Sequence, residues 1–87
     1  MYIILAYDVN VDRVAQVLKV ARRYLTWVQN SLLEGELTQA QFEQLKAEIL
    51  DSIDESEDSV LFFRFRSSQW MEREAYGQEK GEPEWIV

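Results

Sequence analysis

The first nine residues, Met1-Tyr-Ile-Ile-Leu-Ala-Tyr-Asp-Val9, constrain the fold more than any other stretch. They carry one charge, Asp8, at the far end of a run of apolar and strand-forming residues. Side chains alternate along a strand. Tyr2, Ile4, Ala6 and Asp8 therefore share one face, and Ile3, Leu5 and Tyr7 the other. Both faces are apolar and both need cover, which describes a central strand. Asp8 falls at the C-terminal end, where α/β sheets tend to place ligands. The residues leave two roles open for it. Asp8 or Asn10 can cap the next helix, and capping is the commoner role for such a residue. The other role is chemical.

Downstream, Asn10 suits an N-cap and Asp12 the first helical turn. Val11, Val14, Leu18, Ala21 and Leu25 recur at helical spacing, which predicts an amphipathic helix to about Tyr24. Thr26 to Glu34 reads as one strand with a bulge near Ser31, and Glu34-Gly35-Glu36 as a break. Thr38 and Gln41 form a capping-box pattern. They precede a second helix with Phe42, Leu45, Ile49, Leu50 and Ile53 on one side. Its outer side is acidic (Glu43, Glu48, Asp51, Asp54), as is the run Asp54 to Asp58, which reads as a solvated loop. Ser59 to Arg66 is the next strong strand. The expected assignment puts Leu61, Phe63 and Phe65 in the core and turns Val60, Phe62, Arg64 and Arg66 toward a partner or ligand. Trp70 to Tyr76 predicts a fourth strand. The apolar tip Trp85, Ile86, Val87 predicts a short terminal strand that pairs with another strand of this chain or of a partner.

Composition narrows the chemistry. Among the 87 residues there is neither cysteine nor histidine. Disulfides, thiolate zinc sites, Cys or His nucleophiles and histidine bases are thereby excluded. Any metal must be a hard cation on oxygen ligands. Hydrophobic content of 47% with 13% aromatics describes a folded chain. The net charge of −7 argues against a simple nucleic-acid binder. The charge is unevenly spread, however. Residues 34–58 hold nine acids against Lys46 alone, whereas residues 1–33 and 59–73 are each positive by two. A local basic surface drawn from Arg13, Arg22, Arg23, Arg64 or Arg66 is compatible with the acidic whole. No run approaches the roughly 20 apolar residues of a membrane span. The start has no basic leader before an apolar core. The chain reads as soluble and cytoplasmic, with no membrane partner.

The simplest count is strand, helix, strand, helix, strand, strand. A βαββαβ order requires the region 24–37 to supply the second strand before the second helix. In either case the expected fold is an α+β ferredoxin-like sandwich: a four-stranded antiparallel sheet with two helices on one face. A single domain spans 1–87, with 77–87 as a C-terminal tail strand. The other sheet face still needs cover, and a two-fold homodimer packed sheet against sheet supplies it.

At this point the chain resembles the CRISPR-associated protein 2 family. The resemblance rests on an opening strand ending in Tyr7-Asp8-Val9, on Arg13 shortly after it, and above all on Val28-Gln29-Asn30-Ser31-Leu32-Leu33-Glu34 after the first helix. The aromatic-rich strand behind Asp58 and the short terminal strand also fit. The resemblance implies a ferredoxin-like homodimer with a symmetric cleft, in which Asp8 from both protomers holds one Mg²⁺, or Mn²⁺ in its place. It implies metal-dependent cleavage of RNA, and for some members of double-stranded DNA. It also implies a scaffold that bridges the CRISPR integrase and holds incoming DNA during spacer acquisition. Tyr7, Arg13, Gln29 and Ser31 would surround the site, and Trp85, Ile86 and Val87 would dock the integrase. Three functions follow as alternatives: an Asp8-dependent phosphodiesterase, a DNA-binding scaffold, and a non-catalytic ferredoxin-like interaction or regulatory domain.

Overall fold

A computed structural model describes residues 1–67 and 70–78 of the chain. Its elements are β1 (Tyr2–Asp8), α1 (Val11–Ala21), β2 (Thr26–Gln29), β3 (Leu32–Glu36), α2 (Gln39–Ser52), β4 (Ser59–Ser67) and β5 (Trp70–Gly77). The strands form one sheet in the order β2-β3-β1-β4-β5, and every ladder is antiparallel. From β1 to β4 this is the βαββαβ ferredoxin-like arrangement, extended by β5 along the β4 edge.

The opening run earns its central place through register. Leu5 lies between Leu33 of β3 and Phe62 of β4, and Ile3 between Gly35 and Arg64. Ile3, Leu5 and Tyr7 join Leu33, Val60 and Phe62 in the core. Val17, Val20 and Ala21 of α1 and Phe42, Leu45 and Ile49 of α2 close over them, so both helices cover one face. The Phe42 and Phe62 rings meet edge-on with centroids 5.4 Å apart, an arrangement that adds to simple burial. Thr38 caps α2 in a full capping box. Its hydroxyl accepts from the Gln41 N–H, and the Gln41 side chain accepts from the Thr38 N–H.

Several local expectations change. The stretch from Thr26 is a hairpin rather than one strand, because Asn30 adopts φ 44°, a left-handed conformation that asparagine tolerates. The bulge exists but lies in β2, between Trp27 and Gln29. Gly35 does not break the chain. It sits within β3, where a Cβ would lie 3.2 Å from Leu25 Cδ2, so its role is close approach. The expected faces of β4 are reversed. Val60 and Phe62 are fully buried under the helices, while Phe63 and Phe65 are only partly buried on the other face. Pairing with β1 sets this register and overrides aromatic mass. Arg64 is accommodated on the helix side by lying over the Phe42 ring, 5.1 Å from its centroid, and by bonding Glu72. Val11, expected on the apolar side of α1, is 81% exposed. The expected tail beyond Gln78, with Trp85, Ile86 and Val87, lies outside the described residues.

The second sheet face carries Ile4 and Ala6 of β1, Leu32 of β3, Leu61, Phe63 and Phe65 of β4 and Met71 of β5, by strand alternation and register. Asp8 is on this same face. No helix among the described residues is long and apolar enough to cross a membrane.

Candidate nucleic-acid and metal site at the Asp8 end of the sheet

Asp8 closes β1 in register with Ser59 of β4, and it is half-buried. The Tyr7 N–H donates to the Ser31 carbonyl at 3.1 Å. This extends the β1–β3 ladder one step past the Ala6–Leu32 pair and places the β2–β3 turn beside Asp8. The helix cap is Asn10, whose side chain accepts from the Asp12 N–H at 2.9 Å. Of the two residues that could cap α1, the structure places Asn10 in that role and Asp8 at the end of β1.

On the β4 side lies a carboxylate from the run expected to be a solvated loop. Asp58 is fully buried. Arg13, in the first turn of α1, grips it with two bonds: Nε to Oδ2 at 2.7 Å and Nη2 to Oδ1 at 3.0 Å. Oδ1 also accepts the Asn10 N–H at 2.9 Å, and Oδ2 the Asp54 N–H at 2.8 Å. A buried charge is tolerated when it is paired and its lone pairs are filled, and both conditions hold here. The bonds from Arg13 hold the Asp58 carboxyl well below the usual carboxylate range, against the opposing effect of burial, with the Asn10 and Asp54 amides assisting. The Asp58 bonds raise Arg13 in turn. Little in the sequence marks Asp58 out. Its one signal is its position just before β4, which the β1–β4 register turns toward Asn10.

Other expected site residues are placed as follows. Tyr7 shares the strand end with Asp8 but points the opposite way, into the core, where burial raises its phenol. Ser31 stands beside Tyr7 through its carbonyl. Gln29 is exposed on edge strand β2, opposite Leu32. Arg13 is held by Asp58, with Glu57 3.6 Å away. Among the other basic candidates, Arg23 pairs with Glu48 at 2.6 Å and Arg66 with Glu72 at 2.8 Å, while Arg22 is exposed. Arg64 lies 3.1 Å from Glu72 and 3.0 Å from Glu74.

Among the described residues, no three Asp or Glu side chains gather in a way that could hold a metal. The donor chemistry of Asp8 still fits a hard cation, since Mg²⁺ takes one or two carboxylates and keeps several waters. β1 supplies one such carboxylate at this end of the sheet.

The fold and this strand end define a small ferredoxin-like protein with a carboxylate at the tip of its central strand, on the sheet face the helices leave open. The family model described as CRISPR associated protein Cas2 matches residues 1–73, and the chain belongs to that family. It is 52% identical over 87 residues to a protein of Dictyoglomus turgidum named CRISPR-associated endoribonuclease Cas2, with 100% of both chains covered. It is 54% identical over 86 residues to the protein of that name in Thermotoga maritima, covering 99% of each. Among solved structures, one described as a crystal structure of cas2 superposes with a TM-score of 0.74 at 39% identity, covering 100% of this chain and 98% of the other. Cas2 from Streptococcus pyogenes gives 0.68 at 33% identity, covering 80% and 90%.

Proposed function

We propose that the chain works as a two-fold dimer that holds nucleic acid with the CRISPR integrase during spacer acquisition, and that its paired Asp8 carboxylates bind Mg²⁺, or Mn²⁺, for conditional cleavage of RNA or DNA. The observation that carries this reading is the shared placement of Asp8 and the open apolar face. A second copy covering Ile4, Phe63 and Phe65 is the arrangement in which two Asp8 side chains can meet. The family supports the nuclease component, since relatives at about half identity bear the name endoribonuclease.

Each chain contributes positioning. Asp8 is in register with Ser59 of β4, the adjacent Tyr7 N–H is bonded to the Ser31 carbonyl on the β3 side, and Asn10 holds the start of α1 close behind. Two carboxylates brought together repel when nothing lies between them, so cation binding and dimer closure favour one another. When bound, the ion would act as a Lewis acid on the phosphodiester and lower the pKa of water, a role the chain lacks histidine to fill. The scaffold role ranks first, because one carboxylate per chain is a sparse catalytic set.

Asp8→Ala tests the reading. The expected result is loss of Mg²⁺-dependent cleavage by the purified dimer, with spacer acquisition in cells retained. Unchanged cleavage removes Asp8 as the ligand. Loss of acquisition with the dimer intact makes the Asp8 chemistry primary and the scaffold ranking wrong.

A further inference from the structure

Asp58 is fully buried, and its carboxylate oxygens accept from Asn10 and Arg13, in the segment that follows Asp8, and from the Asp54 N–H. Its Oδ1 takes the Asn10 N–H, two residues beyond Asp8, and both oxygens take the Arg13 guanidinium from the first turn of α1. Its neighbour Ser59 is the β4 residue in register with Asp8. The carboxylate thus ties the start of α1 to the 54–58 turn, directly before the β4 residue that pairs with Asp8. On the other side of Asp8, the Tyr7–Ser31 bond fixes the β3 flank. Bonds made by a charged carboxylate are stronger than neutral ones.

We propose that Asp58, acting through Asn10 and Arg13, is the positioning residue that sets Asp8 in the geometry needed to share a divalent cation across the dimer. The proposal rests on the reading of Asp8 as a metal ligand. It assigns Arg13 a role in holding the site together, with its guanidinium committed to Asp58. Groups that orient a metal ligand commonly change metal affinity by about ten- to a hundredfold when removed. Asp58→Asn keeps the shape but removes the charge, and its amide sets an N–H donor against the donors that the carboxylate accepts.

The test uses purified full-length dimer and Mn²⁺ alone, with bound metal followed by electron paramagnetic resonance, so that no cleavage assay is needed. Asp58→Asn is expected to weaken Mn²⁺ binding about tenfold or more in protein that remains folded by circular dichroism. Arg13→Lys preserves the buried charge balance and loses the two-pronged grip. It serves where Asp58→Asn fails to fold, with a smaller weakening of the same sign. A purely structural role would lower the melting temperature and leave Mn²⁺ affinity of the folded protein unchanged. That result in both variants, with Asp8→Asn abolishing binding, overturns the positioning role alone. If Asp8→Asn itself binds Mn²⁺ like the parent chain, the reading beneath the proposal falls and the proposal with it.

Discussion

Asp58 shows how much of this molecule depends on single side chains. An unpaired carboxylate at full burial would be strongly destabilising, yet four hydrogen bonds from Arg13, Asn10 and Asp54 make it a junction of the fold. Its depressed pKa sets a direction for acid unfolding. The ordinary value is 3.8 and the folded value is lower. Below the ordinary value the unfolded chain takes up a proton that the folded chain refuses, so protons favour unfolding. The Asp58 contribution is whole above that value and is lost as the pH falls toward the folded pKa. Urea unfolding measured from about pH 5 down to about pH 2 should therefore show a steeper loss of stability for the parent chain than for Asp58→Asn. Parallel slopes would mean that Asp58 is not ionised and paired in solution. None of this is visible in the run Asp54-Glu-Ser-Glu-Asp58, where five polar residues look alike until β4 pairs with β1. Asp8 was the reverse case. Its place at a strand end was legible, but the residues favoured a cap until Asn10 took that duty.

At the scale of elements, the end of β5 is fastened to the same junction. Gly77 has φ 87°, a region that favours glycine. A Cβ there would overlap the Asp58 carbonyl. The next residue donates its N–H to that carbonyl at 2.8 Å. The Ser59 hydroxyl donates to the Gln78 carbonyl, and the Gln78 side chain donates to the Glu55 carbonyl at 3.0 Å. Gly77→Ala should therefore cost roughly 1–3 kcal/mol from backbone strain alone, with the overlap adding to it. Guanidinium unfolding would register the loss, and hydrogen exchange should localise it to β5 and the 54–58 turn. A change below a few tenths of a kcal/mol would show that the clasp is not held in solution. The helices and β1 were legible because their patterns are long and their caps local, as in Asn10 and the Thr38–Gln41 box. The hairpin was not, since Asn30 needed only one positive φ to turn an apparent single strand into two. The faces of β4 were also hidden. Alternation separates Val60 and Phe62 from Leu61 and Phe63, but both sets are apolar, and only the Leu5–Phe62 pairing decides which is inside.

For the whole molecule, the decisive feature is a sheet covered by helices on one side only. The sequence required cover for both faces of β1, and the chain supplies it for Ile3, Leu5 and Tyr7. On the opposite face Ala6 and Leu61 are buried, but Ile4, Phe63 and Phe65 are only partly buried and Tyr2 and Met71 are exposed, and an exposed apolar patch of this kind marks an interaction site. The charge distribution argues against broad electrostatic capture of nucleic acid by the chain alone. The net charge is −7, and Arg13, Arg23, Arg64 and Arg66 each have a carboxylate partner within the chain. Phe63 is the most direct probe of this face. It pairs across the ladder with Ile4 and Arg73 and stands outside the core cluster beneath the helices. Phe63→Glu therefore leaves the chain able to fold. In a two-fold dimer the substitution occurs twice, and like charges buried across an interface repel by several kcal/mol. A penalty of roughly 3 kcal/mol weakens association about a hundredfold. Sedimentation equilibrium at micromolar protein should then find a folded monomer where the parent chain is a dimer, with Mn²⁺ binding lost because the second Asp8 has gone. A Phe63→Glu dimer as tight as the parent would place the interface elsewhere, and a shared Asp8 site would then have no surface to form on.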